Sequence, residues 1–281
     1  MESFEYSIFQ PQDSKFKEIR NESSNIKNKL MDKPCAYSLI IPAYNEENRI
    51  GPFLEHVKSN LTPAWEVIIV CDGNDRTPEI ARAVDESFKV LEFSTRLGKG
   101  GAIKEGFKLS KGDVLGYVDA DGAISFDDIN KVYHAVSPEN PVVVGSRWVK
   151  GSNIETSQRI VRVLLGRVYH YFSFALLGLR TKDTQCGIKA FDSSSMGKIL
   201  DAVTISNLSF DTAVLYHCKK NRLNIAEMPI TWKDVSGSTV KPFKTALVMF
   251  LSLIGIRLAH SRKANKVKDI MESIRNIIEN A

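Results

Sequence analysis

The stretch Val114-Leu115-Gly116-Tyr117-Val118-Asp119-Ala120-Asp121-Gly122-Ala123 decides how the rest of the chain is read. A short apolar, β-favouring run stops abruptly at two aspartates and a glycine, the pattern of a buried strand that delivers its last residues to a site edge. In an extended segment, side chains two residues apart point the same way, so Asp119 and Asp121 can face one ligand. Two hard carboxylates at that spacing suit Mg²⁺ or Mn²⁺, whose other positions are left to water and substrate phosphates. The same residues also make an ordinary polar turn, because Asp and Gly are turn formers. The surroundings must decide.

Working outward, the neighbouring segments repeat the arrangement. A strand over Tyr37–Ile41 is stopped by Pro42, and the polar loop from Ala43 to Asn48 leads into a helix through His56. A strand over Trp65–Cys71 runs into Asp72-Gly73-Asn74-Asp75 and a helix over Thr77–Glu86. A third, Phe88–Phe93, ends in Thr95-Arg96-Leu97-Gly98-Lys99-Gly100-Gly101 before a helix to Leu109. Beyond the aspartates come a helix near Asp127–Val136 and a strand over Val142–Gly145. Alternating strands and helices with short links predict an α/β fold, a mostly parallel sheet with helices on both faces. Ligands of such sheets bind outside the carboxyl ends of the strands. There this chain collects Tyr44 and Glu46, Asp72, Arg96 and Lys99, and Asp119 and Asp121. Four coincident clusters outweigh the turn reading of any one of them.

Two tempting motifs fail. The glycine run at 98–101 lacks the GxxxxGK[ST] spacing of a phosphate loop, and no GxGxxG follows the first strand. A P-loop NTPase and a dehydrogenase are therefore disfavoured. The run can still let backbone amides approach an anion at a helix start, or simply begin a helix.

The 281 residues, 43% hydrophobic, suffice for a substantial core. A formal net charge of +5 does not call for nucleic acid. Basic residues nonetheless gather around apolar runs, at Arg147, Lys150, Arg159, Arg162, Arg167, Arg180 and Lys182 and again from Lys241 to Lys268. That suits an anionic membrane surface as well as a solvated helix face or a homodimer contact. The longest apolar stretch, near Ala246–Ile256, is shorter than the ~20 residues of a bilayer span. Cys35, Cys71, Cys186 and Cys218 form no CxxC pair and read as reduced thiols. With no apolar signal core at the start, the expectation is a peripheral protein on the cytoplasmic face of a cell or ER-type membrane. Three parts are expected: an extension over 1–33, a main domain over 34–240, and a basic amphipathic helical segment over 241–281.

Taken in order, Ser38-Leu39-Ile40-Ile41-Pro42-Ala43-Tyr44-Asn45-Glu46, Val70-Cys71-Asp72-Gly73, Gly98-Lys99-Gly100-Gly101-Ala102 and Asp119-Ala120-Asp121-Gly122-Ala123 resemble the inverting nucleotide-sugar glycosyltransferases of family 2. Asp183-Thr184-Gln185-Cys186-Gly187-Ile188-Lys189 and Trp232-Lys233-Asp234-Val235-Ser236-Gly237-Ser238 are similar to the subgroup of dolichyl-phosphate β-glucosyltransferases and related polyprenyl-phosphate sugar synthases. The resemblance implies a GT-A fold. It implies that Pro42, Tyr44, Glu46 and Asp72 hold base and ribose, with Lys99 and Gly100 nearby. Asp119, Ala120 and Asp121 would meet the ribose, diphosphate and metal, with Asp121 the principal metal contact. Arg147 and Arg159 match acceptor-phosphate positions, and Lys241 stands in for a lysine that relatives place after the late Gly-Ser. The chain departs from the pattern at Cys71, where relatives carry Asp. It also departs at Ala123, where mannosyl relatives carry Gln, which leans towards glucose as the sugar.

The expected reaction moves a hexose from a nucleoside-diphosphate sugar, UDP-glucose or GDP-mannose, to a dolichyl or polyprenyl phosphate. The developing diphosphate charge needs a metal and fixed cations. A phosphate acceptor, with a second pKa of ~6, is already largely a dianion at neutral pH and needs no strong base. Where relatives have Phe-Asp-x-Glu, this chain has Phe210-Asp211-Thr212-Ala213. Asp211 then orients the site or caps the helix Thr212–Lys220, and Asp183 contacts the sugar or braces a loop. A transferase with a sugar-hydroxyl acceptor and a non-catalytic nucleotide-sugar sensor are the rival readings.

Overall fold

A computed structural model of the chain describes residues 36–155, 160–205, 207–235 and 242–259, with the side chains at 160–162, 198 and 242–244 left aside. The N-terminal extension, Arg159, Lys241 and the segment beyond 259 lie outside the described residues. The first half follows the expected alternation: β1 (Tyr37–Ala43), α1 (Ile50–Asn60), β2 (Trp65–Cys71), α2 (Thr77–Val84), β3 (Lys89–Glu92), α3 (Gly98–Leu109), β4 (Val114–Val118), α4 (Phe126–His134) and β5 (Val142–Ser146). The second half is less regular: β6 (Asn153–Ile154), α5 (Ile160–Leu177), β7 (Ile188–Asp192), α6 (Ser193–Ala202), α7 (Phe210–Lys220), β8 (Ile225–Pro229), β9 (Thr231–Trp232) and α8 (Pro242–Ala259).

Seven strands form one sheet in the order β3-β2-β1-β4-β7-β5-β8, and β6 and β9 pair separately. Every ladder of the large sheet is parallel except those of β7, which runs antiparallel to both β4 and β5. Gly116 of β4 makes room for this insertion, since a Cβ there would come within 2.5 Å of the Lys189 carbonyl oxygen and of the Tyr133 hydroxyl. Because β7 runs backwards, its first residue, Ile188, lies opposite Val118 at the end of β4, and Lys189 opposite Tyr117. The start of β7 is thereby brought to the edge where the parallel strands finish.

Both faces of the sheet are covered, which explains why β1 is apolar almost throughout. Leu39, Ile41 and Ala43 pack with α1, α2 and α4, whereas Ile40 faces the layer of α3, α5, α6, α7 and α8. Each fully buried Leu or Ile contributes about 1.5–3 kcal/mol. Pro42 is tolerated late in β1 because the ladder to β4 ends at Ile40. Among the described residues, no helix is long and apolar enough to cross a membrane.

Candidate active site

The loops after β1, β2 and β3 are tied to one another before any ligand is considered. Asp72, buried at the end of β2, accepts hydrogen bonds from the N–H groups of Leu97 and Gly98, both at 2.8 Å. This carboxylate at the start of α3 suits the positive end of the helix, and it fixes the turn that carries Lys99. Asp75 accepts from the Glu47 N–H at 2.9 Å and so joins the β1 and β2 loops. Tyr44 is exposed, with the Arg96 guanidinium 3.6 Å from its ring centroid. Gly100 is buried beneath Phe210, where a Cβ would lie 2.5 Å from the ring, so its missing side chain lets α7 pack against α3.

At the end of β4 the strand stops at Val118, and Asp121 already belongs to a turn. The orientation of Asp121 is therefore set by the turn rather than by strand periodicity. Asp121 Oδ1 accepts from the Ala123 N–H at 3.0 Å, and Gly122 takes φ +70°. Ala120 turns into the core, while Asp119 and Asp121 remain partly exposed. Burial raises the pKa of Asp121, and the neighbouring charge of Asp119 raises it further, against the Ala123 N–H, Arg49 and Lys99. Glu46 is shifted the same way, first by burial and, against its ion pair with Arg49, by Asp121 and Asp119. The charges of Asp119 and Asp121 thus reach Glu46 at this edge.

Asp119 is held on its other side. Its N–H donates to the Gly187 carbonyl at 3.0 Å, and a Cβ on Gly187 would lie 2.6 Å from its Oδ2. Lys99 Nζ donates to Asp119 Oδ1 at 2.7 Å and to Asp211 Oδ2 at 2.9 Å. Asp211 is buried, and its Oδ1 also accepts from Lys189 Nζ at 2.5 Å and from the Tyr117 hydroxyl at 2.6 Å. Burial alone would push this carboxyl up. The Lys189 and Lys99 ammoniums and the two hydrogen bonds outweigh it and hold the pKa at about 2. Burial likewise opposes the charge of Lys99, but Asp119 and Asp211 prevail and raise its pKa.

This network rules out the capping reading of Asp211. Helix α7 begins at Phe210 with Ser209 in the cap position, and the Asp211 side chain turns to the two lysines. It also adds a residue that sequence reasoning passed over. Lys189 lies inside a motif of the resemblance, and the signal was one charge in the otherwise apolar Ile188–Phe191.

Arg147, at the end of β5, makes a bidentate pair with Asp183 through Nε at 2.7 Å and Nη2 at 2.9 Å, and its N–H donates to the same carboxylate. Asp183 therefore braces this loop, and its own N–H donates to Glu227 of β8. The Arg147 guanidinium also lies 5.7 Å from the Trp232 ring centroid, and the Arg167 guanidinium of α5 lies 4.6 Å from that of Trp148. Gln185 donates to the Thr212 hydroxyl at 2.7 Å, which also pairs with the Tyr169 hydroxyl of α5. The loops that carry Trp148 and Gln185 are thus linked to α5. Arg159 and Lys241, outside the described residues, cannot be added to this group.

Among the described residues, no group of three His, Cys, Asp or Glu is arranged to hold a metal. The Asp119–Asp121 pair still fits Mg²⁺ or Mn²⁺, ions that take one or two carboxylates and leave the rest to water and phosphate. The charge that raises Asp121 is the charge such an ion would relieve.

The model of the family described as "Glycosyl transferase family 2" matches residues 38–200. The chain is 32% identical over 250 residues to the dolichyl-phosphate β-glucosyltransferase of Dictyostelium discoideum, covering 82% of this chain and 76% of that one. It is 30% identical over 252 residues to the human protein of the same name, covering 82% and 78%. Among solved structures, glucosyl-3-phosphoglycerate synthase from Mycobacterium tuberculosis, in complex with Mn²⁺, UDP and its product, superposes with a TM-score of 0.61 at 16% identity. That match covers 90% of this chain and 86% of that one. Mannosyl-3-phosphoglycerate synthase from Rubrobacter xylanophilus gives 0.60 at 14% identity, over 88% and 78%. These two speak for the GT-A fold.

Proposed function

Because this chain belongs to glycosyl transferase family 2, we propose that it transfers a glucosyl group, with inversion, from a nucleoside-diphosphate sugar to a dolichyl or polyprenyl phosphate. The observation that carries this reading is the state of Asp211 and Asp183. A sugar-hydroxyl acceptor requires a carboxylate free to take a proton. Asp211 is saturated by Lys99, Lys189 and Tyr117 and held at about 2, and Asp183 is saturated by Arg147. A phosphate monoester, with its second pKa of ~6, attacks without that help. The acceptor in the names of the relatives is of this kind.

In this reading Tyr44 and Asp72 lie on the nucleotide side, and Asp119 and Asp121 hold the divalent ion. When bound, that ion would neutralise charge on the departing diphosphate. Lys99 is a cation already fixed at the same edge, so it stabilises that charge without reorganisation. Arg147 is the described candidate for the acceptor phosphate. The lipid is met at α5, where Leu164, Val168, Tyr171 and Phe174 are exposed at spacings of one helical face. Such a face can settle at the headgroup boundary of a bilayer.

The test is incubation with dolichyl phosphate, Mn²⁺ or Mg²⁺, and radiolabelled UDP-glucose, GDP-mannose or UDP-N-acetylglucosamine in parallel. A lipid-soluble, mild-acid-labile product from UDP-glucose is expected. Label in lipid from none of the three donors would overturn the proposal.

A further inference from the structure

We propose that Lys189 is a positioning residue for the transfer reaction proposed above, fixing Lys99 at the diphosphate edge by occupying one oxygen of the carboxylate they share. Lys189 is fully buried in β7, and its ammonium donates to Asp211 Oδ1 at 2.5 Å and to the Cys186 carbonyl at 2.9 Å. Taking an ammonium out of water is costly even when it is paired, and apolar residues of similar volume commonly serve stability as well. Stability by itself gives no reason for a lysine here.

Geometry supplies one. Asp211 offers two oxygens. Lys189 and Tyr117 occupy Oδ1, leaving Oδ2 to Lys99. Lys99 therefore makes one contact to Asp211 and one to Asp119, and stands between the buried carboxylate and the partly exposed one. The two ammoniums and two carboxylates balance in formal charge. Without the charge of Lys189, Asp211 would draw Lys99 inward to itself and away from Asp119. The cation would leave the place where charge develops on the leaving group.

Lys189→Met, Lys99→Met and the double variant are compared in the full-length protein. UDP binding with Mn²⁺ is followed by calorimetry, and turnover is expressed per titrated UDP site so that misfolded protein does not count. Lys189→Met is expected to keep full UDP stoichiometry and an unchanged KM for dolichyl phosphate. Its kcat per site should fall by about 10²-fold, the size of losing one preorganised donor. The double variant should be no slower than Lys99→Met alone, because Lys189 acts only through Lys99. Lys189→Gln, which keeps a hydrogen-bond donor without the charge, should fall between wild type and Lys189→Met. Unchanged kcat per site, or losses that multiply in the double variant, overturn the inference. So does failure of both Lys189→Met and Lys189→Gln to fold, which would make the residue structural. An active wild type with normal Lys189 variants sinks this inference alone, whereas an inactive wild type sinks the transfer reading with it.

Discussion

The two halves of the sheet bring their polar residues to the site in different ways. On the β3-β2-β1-β4 side, each group follows its own strand: Tyr44 after β1, Asp72 after β2, Lys99 in the first turn of the helix after β3, and Asp119 after β4. On the β7-β5-β8 side, Arg147 follows β5, Asp183 precedes β7, Lys189 lies within β7 and Asp211 is on α7. They meet because one strand runs backwards. The first half is a set of local solutions repeated four times, and the second is one long-range solution.

The sharpest way to break this comparison is at Asp121. Asp121→Asn removes a carboxylate whose ionisation is opposed first by burial and then by Asp119. The folded protein should therefore be no less stable and should melt at the same or a higher temperature. Turnover should fall by about 10²–10³-fold, as when one group that stabilises developing charge is lost. Parallel melting and rate measurements check both. A variant that melts much earlier would mean that the donor edge serves the fold as well as the chemistry.

The corresponding change on the other side should behave in the opposite way. Arg147→Met leaves the Asp183 carboxylate buried without its bidentate partner, and breaking such a pair costs about 3–5 kcal/mol. Urea unfolding should show this loss, with a raised KM for the lipid phosphate. Adding Asp183→Asn should recover most of the stability and none of the acceptor affinity. Recovery of both would remove Arg147 from the acceptor site.

The same contrast explains what could be read from the sequence. The polar edge of the first half was legible because a polar residue just beyond an apolar run marks a strand end within a few positions. Asp72 and Asp119 are of this kind, and Lys99 marks the helix start that follows β3. The place of Lys189 in the network was not legible, because it depends on β7 entering between β4 and β5 against the direction of both. Asp211 stayed ambiguous for the same reason. A helix start with an Asp looks like a cap until the partners from α3, β4 and β7 are known. Even the aspartate pair was reached by a reason that needed changing, since a turn with Gly122 at positive φ orients Asp121.

The smallest expected effect concerns α5, where the proposed acceptor side faces outward. Leu164 and Tyr171 are 62% and 65% exposed, and the rings of Phe172 and Phe250, 4.7 Å apart, join α5 to α8 beneath. A surface substitution at Leu164 should leave stability within about 0.5 kcal/mol. If Leu164 enters the bilayer, a share of the roughly 1.5–3 kcal/mol gained on burying such a side chain is lost with it. Leu164→Asp should then weaken co-sedimentation with anionic phosphatidylserine vesicles by about tenfold, which corresponds to 1.4 kcal/mol. Leu109, exposed at the far end of α3, is the matched control. Leu109→Asp should leave vesicle binding unchanged. Equal losses from the two would mean that the membrane does not distinguish the halves, and the acceptor would have to reach the site by another route.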